Sequence, residues 1–425
     1  MSTDIEYTGR APSWHDRKTF RAFKHRNFSI FFIGQLISMV GTWSQMLAVM
    51  WLVWRLTGSP IWLGTVGFAI HFPALVFGLL GGAIADRYDR LNLLRIMQTF
   101  SMIQAAVLAW LAITGQMELW HIIVLSLGLG VVHAFEFPVL QTFVMDVVGK
   151  RDVLAAMSMQ TTIFHISRLI GPTLAGALIA WKGEAICFVI NTISFLALIA
   201  ALFMIDRKKL YGEKHAPTPI LKSVKEGLSY ARRNTQARGV LLLVAILSVV
   251  GMQLVTLVPI FADEIFKGGP LQLGWLMGAS AAGALVGALW LAGRHTHDHL
   301  LRLSAKVAIL YSIAFISFGI NPHLLVGLVI MAVMGFCFSI SFSSMGTLMQ
   351  NVAPDRLRGR MMSLYTTVFM GVAPFGHLMA GGMAKAIGAP VTVIISGSFC
   401  LLASSWIYNR TRNADEIRGR KLASH

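Results

Sequence analysis

Three residues stand out because their chemistry conflicts with their surroundings: His133, Glu136 and Arg168 lie within long apolar stretches. Ionisable side chains are rare and usually functional where a chain is this hydrophobic. His133 and Glu136 are one helical turn apart, so they share one face of a helix. A carboxylate held between burial and a nearby arginine can exchange a proton. We therefore expect Glu136, Arg168 and His133 to carry proton coupling, with a structural ion pair or direct substrate contact as open alternatives.

The elements that carry these residues are hydrophobic blocks, each about as long as a bilayer core requires, which is about 20 residues. The 425-residue chain is 56% hydrophobic and only 13% charged, about half the charge of a typical soluble domain. The sequence predicts an all-α membrane protein with twelve transmembrane helices in two pseudo-symmetric six-helix bundles. The spans are predicted near 28–54, 60–85, 91–114, 119–146, 153–181, 184–206, 239–261, 271–293, 299–320, 322–350, 360–385 and 387–408.

One long polar stretch separates the two sets of spans. Within it, Leu221, Val224 and Leu228 fit one helical face, which predicts an interfacial helix. The predicted organisation is an N-terminal segment 1–27, a six-helix bundle 28–206, a linker 207–238, a second six-helix bundle 239–408 and a tail 409–425.

The net charge is +17, and the basic residues behind it are distributed unequally between the two sides of the predicted spans. Of the 36 lysines and arginines, 31 fall on one side of the predicted spans, and only Arg55, Lys182, Lys267 and Lys385 fall on the other, with Arg168 inside a span. Cytoplasmic loops carry this excess. Both termini are therefore predicted to be cytoplasmic, and the basic charge does not indicate nucleic-acid binding.

Glu136 and Arg168 lie on adjacent predicted spans that run in opposite directions. Glu136 is about 10 residues, or roughly 15 Å, from the cytoplasmic end, and Arg168 is roughly 22 Å from it. A difference of about 7 Å is within reach of two long side chains, so we expect that the two can pair.

An internal repeat relates the two halves. The segments MSMQTTIFHISRLIGPTLAGA (157–177) and MSLYTTVFMGVAPFGHLMAGG (362–382) share Met, Ser, two Thr, Phe, Gly, Ala and Gly at an offset of 205 residues. They are predicted spans 5 and 11, so the halves are related in parallel, which is the pattern of a large transporter fold.

The stretch GGAIADRYDR (81–90) is similar to the signature between spans 2 and 3 of the major facilitator superfamily, with Asp89 in place of the usual glycine. The sequence as a whole resembles that superfamily. It is closer to the drug and siderophore exporter branch that includes the enterobactin exporters, through FPVLQTFVMDVVGKRDVLAA, IFHISRLIGPTLAG, EGLSYARRN and APDRLRGRMMSLYTTVFMG. The resemblance implies the major facilitator fold and alternating access by a rocker-switch movement.

In major facilitator transporters this loop latches the two halves together, and the resemblance implies the same role for the charged loop here, at the cytoplasmic end. Asp86 at the end of span 2 could accept hydrogen bonds from the amino terminus of span 11. The alternative is a solvated loop that only sets topology. The predicted latch consists of Gly82, Asp86, Arg87, Arg90, Arg358, Gly359 and Arg360.

Span 5 carries a second motif of the exporter branch. Gly171, Pro172 and Gly176 match its antiporter motif, while Ala175 replaces one glycine. Proline bends the helix and the small residues permit close helix contact. The resemblance implies export rather than uptake, and ordinary helix packing is the alternative. The superfamily's span 4 arginine is missing, with Ser126 near its position, and for this reason Glu136 is the expected coupling residue.

Spans 1, 4, 7 and 10 are expected to line a pliable, largely apolar cavity. With few fixed charges there, an amphipathic organic molecule fits better than a small, highly charged one. The expected lining residues are Gln35, Trp43, Gln45, Met46, Phe137, Gln253, Phe338 and Phe342.

Together with the resemblance to the exporter branch, the sequence predicts a secondary active exporter of amphipathic organic molecules, siderophore or drug-like, driven by proton antiport in the bacterial inner membrane. The alternatives on the same fold are a lysophospholipid or lipid flippase and a proton-coupled importer. No enzyme activity, metal site or cofactor is predicted, and the energy source is the proton gradient. The expected partners are the substrate, protons and the bilayer, without nucleic acid, and the expected state is a monomer.

Overall fold

The computed structural model describes residues 18–211, 229–293, 300–354 and 357–423. A short 3₁₀ helix, Lys18–Lys24, precedes eleven long α-helices in this part of the chain. All eleven contain a stretch long and apolar enough to cross a membrane. They are α1 (Arg26–Thr57), α2 (Pro60–Arg87), α3 (Arg90–Ile113), α4 (Leu119–Lys182), α5 (Ala185–Phe203), α6 (Thr235–Ile260), α7 (Pro270–Ala292), α8 (Leu300–Ile320), α9 (Leu324–Val352), α10 (Arg358–Ile387) and α11 (Ala389–Ala423).

Helix α4 is long enough for two spans because it is broken at Gly149. This residue has φ 72° and ψ 172°, a conformation that favours glycine. On one side of the break, Asp146 binds Arg90 at the start of α3. On the other side, Asp152 contacts His25, just before α1. The arms 119–148 and 150–182 therefore run antiparallel, and eleven helices make the twelve predicted spans.

The ends of the bundle differ in charge. His25, Arg90 and Arg207 lie together at one end, which we call the basic end. At the other end, which we call the opposite end, Arg55 donates to Glu184 with its Nε 2.7 Å from Oε1. The segment of the predicted interfacial helix around Leu221, Val224 and Leu228 lies outside the described residues. The backbone of α11 continues as a helix through the predicted tail to Ala423.

The two halves pack with matching neighbours, as the internal repeat predicts. Helix α2 packs against α4 as α7 packs against α9, and α1 packs against α4 as α6 packs against α10. Helix α3 packs against α5 as α8 packs against α11. The halves meet through α2 with α10 and through α4 with α7. This arrangement confirms two pseudo-symmetric six-helix bundles.

The interface between the halves is closely packed toward the opposite end. A Cβ atom on Gly381 would lie 2.6 Å from the Pro60 carbonyl oxygen and 3.2 Å from the Gly64 Cα. A Cβ atom on Gly176 would lie 2.5 Å from the Pro270 oxygen and 3.0 Å from the Gly274 Cα. Glycine lets each helix pair approach this closely. We call these two contacts, Gly64–Gly381 and Gly176–Gly274, the seam.

A hydrogen bond crosses between the halves at the same end. The Trp54 indole, near the end of α1, donates to Asp263 Oδ2 at 2.8 Å. Asp263 lies in a π-helical turn, Phe261–Ile265, that follows α6. The structure is therefore closed at the opposite end.

Candidate substrate and proton sites

Glu136 is bound within its own half of the molecule. Gln98 of α3 donates through Nε2 to Glu136 Oε1 at 2.6 Å, and Gln98 is only 2% exposed. The expected ion pair with Arg168 is absent among the described contacts. The reason is helix rotation, since Glu136 faces α3 whereas Arg168 lies beside Trp43 of α1.

His133 lies one turn before Glu136, as predicted, and is partly buried. No described hydrogen bond engages its ring. The arm that carries it contacts α2, because a Cβ atom on Gly130 would lie 2.4 Å from the Ile70 carbonyl oxygen. His133 and Glu136 thus lie where the arm 119–148 is held between α2 and α3.

Arg168 is a cation without a described anionic partner. Its guanidinium carbon lies 5.9 Å from the centre of the Trp43 ring, a cation–π distance. Trp43 in turn meets Phe164 edge to face, with ring centroids 5.6 Å apart. Phe164 is 41% exposed and precedes Arg168 by four residues, so both lie on one face.

Two further nitrogen atoms on the arm 150–182 are buried without a described hydrogen-bond partner. They are Gln160 Nε2 and His165 Nδ1. Gln160, Phe164 and Arg168 follow one another at intervals of four residues and share a helix face. Buried polar groups normally have partners. The arginine, the amide donor and Phe164 on this face, with Trp43 of α1 beside them, form a suitable place for a molecule that combines an acidic group with apolar surface.

The residues expected in the cavity separate into two groups. Gln45 lies inside the N-terminal bundle, 3% exposed, where it donates to Gln104 Oε1 at 3.0 Å and accepts from Asn191 Nδ2 at 2.9 Å. Gln35 and Gln253 are buried as well. The polar members therefore serve the packed interior in this conformation. The members that keep exposed surface are Trp43, Met46, Phe137, Phe338 and Phe342.

Part of the predicted latch is described. Arg90 makes a bidentate contact through Nη1 with Asp146, at 2.7 and 2.8 Å, within the N-terminal half. Arg358 Nε donates to the Gln350 carbonyl oxygen at 3.2 Å. Arg87 and Gly359 are exposed, and Arg360 is half-buried. The contacts of Gly82 and Asp86 lie outside the described part of the structure, so the latch stays a prediction.

Sequence reasoning missed Asp146 as the partner of Arg90. It lies near the end of a predicted span, where acidic residues are common because a polar loop follows. Its bidentate contact with a buried arginine depends on how α3 and α4 are rotated, which the apolar pattern does not specify.

The predicted antiporter motif contacts two different helices. A Cβ atom on Gly171 would lie 2.6 Å from the Trp43 Cβ of α1. Gly176 forms the seam with Gly274 of α7, and the Pro172 carbonyl oxygen would lie 2.7 Å from a Cβ atom on Gly274. The motif thus joins the α1 face near Arg168 to the contact between the halves.

Comparison with known proteins gives a consistent picture. The family model of transmembrane secretion effectors matches residues 17–418. The staphyloferrin A transporter of Staphylococcus aureus is 24% identical over 391 residues, which cover 89% of this chain and 96% of that protein. The multidrug efflux pump Tap of Mycolicibacterium fortuitum is 26% identical, and the alignment covers 84% of this chain and 89% of that protein. The enterobactin exporter EntS of Escherichia coli is 25% identical, with 88% of each chain covered.

Solved structures agree on the fold. A bacterial homolog of the human lysosomal transporter Spinster superposes with a TM-score of 0.71 at 12% identity, and 92% of this chain and 97% of that chain are covered. A peptide transporter of the POT family gives a TM-score of 0.71 at 12% identity, covering 91% of this chain and 94% of that one.

Proposed function

This chain belongs to the transmembrane secretion effector family of the major facilitator superfamily, and from that premise we propose that it exports amphipathic organic molecules in exchange for protons. Its relatives include transporters and exporters of siderophores and drugs. The substrate proposed here carries an acidic group next to apolar surface. No cofactor takes part, and the proton gradient supplies the energy.

The observation that carries the proposal is the surroundings of Arg168. A cation with no described acidic partner, half-buried beside Trp43 and Phe164, is costly unless something else compensates its charge. An acidic substrate would do so while its apolar part rests on the aromatic rings. Arg168 does not form the expected pair with Glu136 in the described structure. This favours substrate contact over a structural role for the arginine.

Glu136 and His133 are the proposed proton-coupling groups. Glu136 is held by the neutral amide of Gln98 rather than by a cation, so both its protonated and its charged form can keep that hydrogen bond. Proton uptake there need not break the packing of α3 on α4.

The proposed direction follows from charge and closure. The basic end is taken as cytoplasmic because lysine and arginine accumulate in cytoplasmic loops, and the membrane is taken as the bacterial inner membrane. Closure at the seam then supports an inward-facing state, open to substrate from the cytoplasm. The predicted latch would close the basic end in the alternate state.

Transport into inverted membrane vesicles tests this function. With an acid interior, wild-type protein should accumulate a fluorescent aromatic carboxylate and should leave its neutral amide analogue largely outside. Arg168→Gln should weaken the apparent affinity for the carboxylate about tenfold to a hundredfold, the usual loss for a charged hydrogen bond. Arg168→Lys should recover part of it.

Lys182→Gln provides the control, since Lys182 is an exposed cation at the opposite end of the same helix. It should transport like wild type. Equal accumulation of the carboxylate and the amide, unaffected by Arg168→Gln, would contradict the proposed substrate class.

A further inference from the structure

Two histidines meet at the contact between the halves. His71 of α2 and His377 of α10 stack with ring centroids 4.8 Å apart and an angle of 27° between the rings. His377 is 1% exposed, whereas His71 keeps some exposed surface. In the described part of the structure, each ring makes one hydrogen bond, through its Nδ1 atom.

The hydrogen bonds assign where the protons of the neutral rings lie. His71 Nδ1 is 2.9 Å from the Gly67 carbonyl oxygen, so this nitrogen donates. His377 Nδ1 is 2.7 Å from Thr256 Oγ1, and that hydroxyl donates to the Met252 carbonyl oxygen. With the hydroxyl hydrogen directed to Met252, His377 Nδ1 is the donor to Thr256 Oγ1. In both rings Nε2 is left with a free lone pair.

Neither lone pair has a described partner. His377 Nε2 is buried without a hydrogen bond, and no described contact engages His71 Nε2. A buried polar atom without a partner calls for an explanation in a native structure. Here two proton acceptors lie against each other in a contact that joins the two halves.

The histidine pair lies next to the Gly64–Gly381 contact of the seam. Gly67 lies one turn from His71, and a Cβ atom on it would lie 2.4 Å from His377 Nδ1. The His377 carbonyl oxygen would lie 2.5 Å from a Cβ atom on Gly64. The rings can therefore stay in this position only while α2 and α10 remain in contact.

Few other titratable groups face the pair. The arm 119–148, which packs on α2 beside Ile70, contributes His133, with Glu136 one turn further. Helix α6 contributes the hydroxyl of Thr256. In the described parts of α1, α6, α9 and α11, no Asp, Glu, His, Lys or Arg lies at the level of the pair; their charged residues are near the helix ends. No carboxylate is therefore in contact with a protonated pair.

We propose that His71 and His377 form a second proton-binding site, and that a proton bound there opens the seam. An imidazolium formed on either ring would have no counter-ion, and two would repel each other at this distance. Separation of α2 from α10 brings the rings into water. Closure then requires the proton to leave, toward His133 and Glu136 or back to solvent. The place of this site in a transport cycle rests on the proposed proton antiport, but the opening of the seam can be measured without substrate.

The test is a distance across the opposite end in the full-length protein. Spin labels on cysteines introduced at Leu56 and Ile387, which are exposed on the two halves, report the separation, and the native cysteines are buried. Between about pH 8 and pH 5, where histidine changes its charge, the wild-type distance distribution should shift to longer values. The shift should vanish in His71→Gln/His377→Gln and persist in His323→Gln, an exposed histidine near the same end.

A permanent positive charge at the histidine pair provides a second test, which does not depend on loss of function. His71→Lys should hold the longer distance at both pH values. The proposal is overturned if the double variant keeps the wild-type response, if wild type shows no response, or if His71→Lys stays closed. A normal pH response together with absent proton exchange in vesicles would instead remove the proposed antiport and leave the site in place.

Discussion

At the scale of single residues, the charges inside the bundle have different surroundings. Arg90 and Asp146 are mostly buried and satisfy each other with two hydrogen bonds. Arg168 rests on an aromatic ring, and Glu136 on a neutral amide. A buried pair is a structural feature, whereas a charge without a partner is available for a ligand or a proton.

Removing one member of the buried pair should destabilise the protein. Arg90→Gln or Asp146→Asn should each lower the free energy of unfolding by about 3 kcal/mol, since each leaves an uncompensated buried charge. The double variant should lose less than the sum of the two single losses. Chemical denaturation in detergent micelles measures all three, and small, additive losses would show that the pair contributes little.

Sequence alone singled out Glu136, His133 and Arg168 as candidates, because an ionisable residue in an apolar span is conspicuous. It did not identify their neighbours. Contact between two side chains depends on how each helix is rotated, and these helices are apolar nearly all round, so the pattern does not define a buried face. The pairing of Glu136 with Arg168 was wrong for this reason, and His377 passed unnoticed.

At the scale of helices, glycine positions decide how closely the halves approach. Gly171 and Gly176 in α4 correspond through the repeat to Gly376 and Gly381 in α10. Gly171 and Gly376 each pack on the first helix of their own half, and Gly176 and Gly381 each contact the other half. The repeat was visible in the sequence, and its structural meaning is that the two contacts of the seam are equivalent. Apart from the end of α11, which continues to Ala423, the helix bounds differ from the predicted spans by only a few residues, since hydropathy reports length well.

Neighbouring glycines in α10 offer a matched test of the seam. Gly381→Ala should prevent close contact with α2 and lengthen the Leu56–Ile387 label distance at neutral pH, because its Cβ would lie 2.6 Å from the Pro60 carbonyl oxygen. Gly382→Ala should leave the distance unchanged, since no atom lies within 4 Å of its Cβ, and its stability should stay the same or rise by up to about 1 kcal/mol. An equal effect of both substitutions would indicate a general helix effect rather than a seam.

At the scale of the whole molecule, the described contacts combine into one working arrangement. The proposed substrate site lies on the second arm of α4 and the proposed proton groups lie on its first arm, and both arms belong to the helix that meets α7 of the other half. The histidine pair lies directly in the contact between α2 and α10. In the proposed cycle, a movement that opens the seam therefore moves α4 relative to the other half and separates the histidine pair. The sequence predicted the two bundles and their relationship, but the state in which the seam is closed became visible only in three dimensions.

Proton release by inverted vesicles measures the exchange most directly. The vesicles are given an acid interior, the aromatic carboxylate is added outside, and protons released into the medium are recorded for wild type and Glu136→Gln. Glutamine can still accept the hydrogen bond from Gln98, so the substitution removes the titratable group and keeps the helix contact. We predict release by wild type and none by Glu136→Gln. Equal release by both, or substrate accumulation by wild type without release, would contradict proton antiport through Glu136.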